Sequence, residues 1–127
     1  MLRRRAQHQA TGGFIEIGLP VTPDLDARLG EVIAGGRELA EAGRSVRGQR
    51  EYERWKDDVG EWRTAIAETL EAGFATAVAR DALLDVWARN TPLCTIWPDW
   101  LKTEREALNA ALDFADRIRE AAASYTA

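Results

Sequence analysis

The stretch Arg47–Gly73, RGQREYERWKDDVGEWRTAIAETLEAG, decides how this chain is read. Tyr52, Trp55, Val59, Trp62, Ile66, Thr69 and Gly73 follow one another at alternating steps of three and four, the period of a helix that buries a single stripe. Arg50, Glu51, Glu53, Arg54, Lys56, Asp57, Asp58, Glu61 and Arg63 fill the positions between. One side of this helix must therefore be covered while water satisfies the rest, and a helix of that kind needs partners.

The chain on the amino-terminal side supplies the first partner. Thr22, Pro23 and Asp24 form a helix-start signal: a hydroxyl that can cap, a proline suited to the first helical position, and early carboxylates that complement the helix dipole. Leu25, Leu29, Val32, Ile33, Gly36, Leu39 and Ala40 then share one face. Gly35 and Gly36 each cost about 1 kcal/mol relative to alanine inside a helix, so they mark a bend or the close approach of a neighbour. No strand, Lys-Ser pair or wider glycine pattern accompanies them, which argues against a phosphate loop. The polar, glycine-flanked link Gly43–Gly48 is short enough to require two antiparallel helices. Across it, Arg47 with Glu51 and Arg54 with Asp58 have the spacing of helical ion pairs.

On the carboxyl-terminal side, Gly73 and Phe74 break the pattern and Thr76 can cap a third helix carrying Val78, Ala79, Ala82, Leu83, Val86 and Trp87. Asn90, Thr91 and Pro92 end it. Pro98 can begin a last helix whose face is Leu101, Leu108, Ala111, Leu112, Ala115, Ile118 and Ala122. The expected fold class is all-α: an antiparallel bundle of about four helices forming a single domain over residues 22–127. Ahead of it lie an extended arm or short strand over 14–21, whose two faces both carry apolar groups, and a flexible basic tail over 1–13 containing Arg3, Arg4 and Arg5.

Composition narrows the function. A length of 127 residues suits one core, and 46% hydrophobic with 30% charged residues is a globular balance. Fifteen arginines against two lysines, with abundant alanine, fit a GC-rich and bacterial genome. A net charge of -4 and a pI near 5.1 oppose broad attraction to phosphate backbones or anionic membranes, so nucleic acid is a disfavoured partner. Cys94 is the lone cysteine, which rules out an internal disulfide or a thiolate cluster and points to a reducing cytoplasm. No apolar run reaches the roughly 20 residues of a membrane span.

The search for chemistry returns little. His8, the single histidine, lies in the tail, and the paired Glu-x-x-His motifs of a bundle di-iron site do not occur. Cys94 stands among Leu93, Thr95 and Ile96, without the base or electropositive setting that activates a thiol. Glu53, Asp57 and Glu61 share a face but sit among Arg50, Arg54 and Lys56, the pattern of a solvated surface. The expected site inventory is therefore no catalytic residue, no cofactor and no metal. The segment Trp97–Trp100, WPDW, is the most distinctive local feature: either it plugs the end of the bundle or it presents aromatics to another protein.

The sequence thus points to a non-enzymatic interaction or structural protein that binds a protein partner or self-associates through its aromatic seam. Tyr52, Trp55, Trp62, Trp87, Trp97 and Trp100 are the interaction candidates. A small enzyme or ligand binder with a pocket lined by Trp87, Trp97 and Trp100 is the competing class, and a nucleic-acid accessory using the arginine-rich tail is a third.

Overall fold

Four helices make up the described residues: α1 (Leu25–Gly43), α2 (Gln49–Gly73), α3 (Val78–Ala88) and α4 (Trp97–Thr126). The structure, a computed structural model, describes Pro20 and residues 22–89 and 96–126. The expected tail over 1–13 and the arm over 14–21 other than Pro20 lie outside these, as do His8, Leu93 and Cys94. The bundle is all-α, as the periodicity requires. Helices α2 and α4 each pack against both shorter helices, and they also meet each other. One continuous core runs through all four.

Every seam position of α2 is buried: Tyr52, Trp55, Val59, Trp62, Ile66, Thr69 and Gly73, joined by Leu70. What covers the seam is mostly α1, and the fit depends on glycine. A Cβ at Gly36 would lie 2.6 Å from Leu112 Cδ2 and 2.7 Å from Trp62 Cε2. One at Gly43 would lie 2.8 Å from Trp55 Cζ2, and at the other end Leu25 fills the space where a side chain at Gly73 would be. Leu25 faces Gly73, Gly36 faces Trp62 and Gly43 faces Trp55, so α1 and α2 run antiparallel in one register. The doubled glycine resolves as a close approach at Gly36, whereas Gly35 next to it has open space around its Cβ position.

The indoles do more than fill these notches. Trp62 Nε1 donates to the Val32 carbonyl at 2.7 Å, and Trp55 Nε1 donates to the Leu39 carbonyl at 2.8 Å. In an α-helix the carbonyl of residue i also receives the amide of i+4, which for Val32 and Leu39 means Gly36 and Gly43. Each tryptophan therefore lies over a glycine and bonds to the carbonyl one turn earlier, using an oxygen's second lone pair. The unit recurs after seven residues on both helices, which is two turns and hence the same face.

The helix ends depart from expectation in two places. Thr22 does not cap α1. Asp24 is the N-cap residue, without a side-chain cap bond, and Thr22 gives its carbonyl to the Leu25 amide at 3.3 Å. Pro23 and Asp24 form a turn between Thr22 and the helix, and the Thr22 hydroxyl has no hydrogen-bond partner among the described residues. Nor do Arg47 and Glu51 form a side-chain pair. The Glu51 carboxylate accepts the backbone N–H of Arg47 at 2.8 Å, which is one half of a capping box. The Arg47 guanidinium instead donates to the carbonyls of Arg44 and Val46, just past the last turn of α1, where a cation also complements the helix dipole.

Thr76 does assist the third helix, accepting the Val78 amide at 3.3 Å. Ahead of it Phe74 is extended and buried, and it forms an isolated antiparallel backbone bridge with Pro20. In α4 the expected face is buried from Leu108 to Ala122, with Ala107 added and Leu101 half-buried. Asp26 accepts Arg119 through both oxygens at 2.7 and 3.0 Å, and Arg37 pairs with Asp116, so two ion pairs lace the outside of the α1–α4 contact. Gly30 leaves room for the first, since a Cβ there would meet the Arg119 guanidinium at 3.0 Å. Among the described residues no helix is long and apolar enough to cross a membrane.

Candidate interaction site at the aromatic end

The six aromatic candidates divide into two groups. Tyr52, Trp55 and Trp62 are buried inside the chain, and the two tryptophans are spent on α1. Trp87, Trp97 and Trp100 are half-buried, each packed against the core with part of its surface facing outward. Ile96, immediately before α4, is 56% exposed; among the described residues the other exposed large apolar residue is Val78, at 41%. At the start of α4, outward apolar surface comes from Ile96 and the outer parts of Trp97 and Trp100.

Geometry at this end is set by α2 and α4. The Tyr52 ring stacks on Trp97, with centroids 6.1 Å apart and planes 28° from parallel. The Tyr52 hydroxyl donates to Glu104 Oε2 at 3.1 Å. Trp97, Trp100 and Glu104 recur at steps of three and four, so they occupy one side of α4, and Tyr52 ties that side to α2. Trp87 belongs to a different pair. Its ring lies 6.3 Å from Trp62, and the Arg63 guanidinium sits 5.3 Å above its centroid, a cation–π contact.

Glu104 is the one group here with a displaced proton affinity. Burial pushes its carboxyl above the ordinary glutamate range, and the Tyr52 hydrogen bond followed by the charges of Lys56 and Arg63 pull part of the way back. The sequence reading passed it over, although a signal was there. Leu101, Glu104, Leu108, Ala111, Leu112, Ala115, Ile118 and Ala122 form one face at helical spacing, and Glu104 is the single charge on it. A carboxylate on an apolar stripe needs a buried donor, and Tyr52 is that donor.

An acid with a raised pKa can serve general acid catalysis only within reach of a bound substrate, and the Glu104 oxygen is engaged by Tyr52. Among the described residues no group of three or more His, Cys, Asp or Glu side chains could hold a metal. Trp87 and Trp97 belong to separate ring pairs, and a cavity of about 540 Å³ lies at the opposite end of the bundle, with no tryptophan among its lining residues. No protein-family model matches the chain, and no curated protein or solved structure matches it either.

Proposed function

We propose that the chain is a non-enzymatic interaction module that binds a protein surface through its aromatic end, centred on Ile96, Trp97 and Trp100. The observation that carries this reading is the 56% exposure of Ile96 beside two half-buried tryptophans. Tryptophan supplies large contact area with little side-chain entropy to lose, and binding energy concentrates on such anchors. The seam of α2 supports self-association less well, because it is already covered by α1, α3 and α4. The partner's matching chemistry is an apolar patch with a polar rim, provided by another protein or by a second copy of the chain.

Burying one isoleucine side chain contributes about 1.5–3 kcal/mol, which converts to roughly a ten- to hundredfold change in Kd. Ile96→Asp leaves the core untouched, so the test compares wild type and this variant as baits in extracts of the native host, with sedimentation of each over a wide concentration range. A bound protein, or a concentration-dependent oligomer, that is seen with wild type and lost with Ile96→Asp supports the proposal. Wild type that stays monomeric and retains no protein sensitive to Ile96→Asp overturns it. A pocket lined by Trp87, Trp97 and Trp100 would instead give saturable changes in tryptophan fluorescence on titration with metabolite or nucleotide pools.

A further inference from the structure

Tyr52 is held to α4 at two points. Its ring stacks on Trp97, with centroids 6.1 Å apart, and its hydroxyl donates to Glu104 Oε2 at 3.1 Å. Trp97 and Glu104 are seven residues apart, two helical turns or about 10 Å of rise, so one phenol links the indole to the carboxyl. Tyr52 is 5% exposed, and a ring enclosed by close-packed neighbours has few positions open to it. A shift of its hydroxyl is therefore also a shift of the face it presents to Trp97.

Glu104 is the group able to drive such a shift, being half-buried on an otherwise apolar stripe. In its neutral form burial costs little and the Tyr52 bond is kept. In its charged form the carboxylate gains a stronger bond from Tyr52 and the attraction of Lys56 and Arg63, but it gives up hydration. Of these effects the loss of hydration is the largest, so the charged carboxylate is drawn toward water and away from the phenol. Among the described residues the charges that bear on it are Lys56 and Arg63, both from α2, and none from α1 or α3 is among them.

We propose that Tyr52 couples the protonation of Glu104 to the pose of Trp97, which makes the aromatic end a proton-sensitive surface. With Glu104 neutral, phenol and indole keep their stack; with Glu104 ionised, the stack loosens. The consequence for docking rests on the role proposed above for this end. A partner seated over Trp97 and Trp100 meets a preorganised ring in the protonated form. It also covers the side of α4 that bears Glu104, which disfavours the charge further. Docking therefore takes up a proton and tightens as pH falls through the titration of Glu104.

Nuclear magnetic resonance of the free chain, from about pH 3 to 8 to bracket the ordinary glutamate range, tests the coupling. The Trp97 indole N–H is assigned by its loss in Trp97→Phe and followed together with the Glu104 carboxyl carbon. In wild type the two signals are expected to move with one shared midpoint, above the ordinary glutamate range. Glu104→Gln should abolish the movement at Trp97. Tyr52→Phe should leave Glu104 titrating but remove most of the movement at Trp97, whereas a mere through-space effect of the charge would persist. A Trp97 signal that stays still while Glu104 titrates overturns the proposal, as does movement that survives Glu104→Gln or is undiminished in Tyr52→Phe. If Tyr52→Phe fails to fold, wild type against Glu104→Gln decides. No partner is present in this experiment, so the coupling can fail while the Ile96→Asp test succeeds, and the reverse.

Discussion

Gly35 and Gly36 are neighbours in α1, and replacing each with alanine should change stability in opposite directions. Alanine gains about 1 kcal/mol over glycine inside a helix. At Gly35 nothing lies within 4 Å of the new Cβ, so Gly35→Ala should realise most of that gain. At Gly36 the same atom would meet Leu112 Cδ2 at 2.6 Å and the Trp62 ring at 2.7 and 2.8 Å. The ring cannot simply swing aside, because Trp62 Nε1 is bonded to the Val32 carbonyl one turn away, and Leu112 is fully buried. Overpacking of this kind costs about 1–3 kcal/mol. With the clash near the upper end of that range and the propensity gain subtracted, Gly36→Ala should be about 1–2 kcal/mol less stable than wild type. Urea unfolding followed by far-UV circular dichroism gives both numbers from midpoints at constant slope. In a Trp62→Phe background the smaller ring gives way, so the penalty of Gly36→Ala should shrink, a coupling that a double-mutant cycle reads directly. If Gly36→Ala proves as stabilising as Gly35→Ala, the close α1–α2 approach described above is wrong.

Other consequences follow from the same contacts. Trp55→Phe should cost about 1 kcal/mol beyond the area it loses, because it removes the donor to the Leu39 carbonyl, and Trp55→Ala should cost about 3–5 kcal/mol by thermal or chemical unfolding. Glu104 has a folded pKa raised by burial, so the native state holds its proton more tightly than the unfolded chain and wild-type stability falls as pH climbs from the ordinary glutamate range through the folded value. Glu104→Gln keeps an oxygen for the Tyr52 hydroxyl but cannot ionise. It should therefore match wild type near pH 4 and exceed it at pH 7, and equal pH profiles for the two proteins would remove the burial argument. Tyr52→Phe should show the reverse bias, costing about 1–3 kcal/mol at neutral pH, where a half-buried carboxylate loses its donor, and less at pH 4.

The stripe on α2 was readable because burial and helical period make one demand: Tyr52, Trp55, Val59, Trp62, Ile66, Thr69 and Gly73 recur at helical steps and all seven are inside. Helix ends were less readable, because a cap is decided by a few dihedral angles and not by a summed pattern. Thr22 carries the right hydroxyl, yet the Pro23–Asp24 turn separates it from the helix and Asp24 takes the N-cap position. Arg47 and Glu51 have ion-pair spacing, but a free backbone N–H lay nearer to the carboxylate than the guanidinium did. The division of the aromatics was illegible for a different reason. Period places Trp55 and Trp62 on an inner face, but only the partner helix shows that glycines receive them and that their N–H groups are satisfied.

That last point bears on which surface is free to act. A buried tryptophan whose indole N–H lacked an acceptor would carry a desolvation cost of about 1–3 kcal/mol, and a partner protein able to supply that acceptor would be favoured. Trp55 and Trp62 offer no such opening, because α1 supplies carbonyl acceptors at 2.8 and 2.7 Å and glycine notches for the rings. The two indoles of the α2 seam are thereby satisfied within the bundle. Trp97 and Trp100 sit at the start of α4, where Tyr52 covers one face of Trp97 and Ile96 stands outward. An association site has to gain by losing water, and on these two helices the half-buried Trp97 and Trp100 have more water to lose than Trp55 and Trp62, which keep 5% and 6% of their surface.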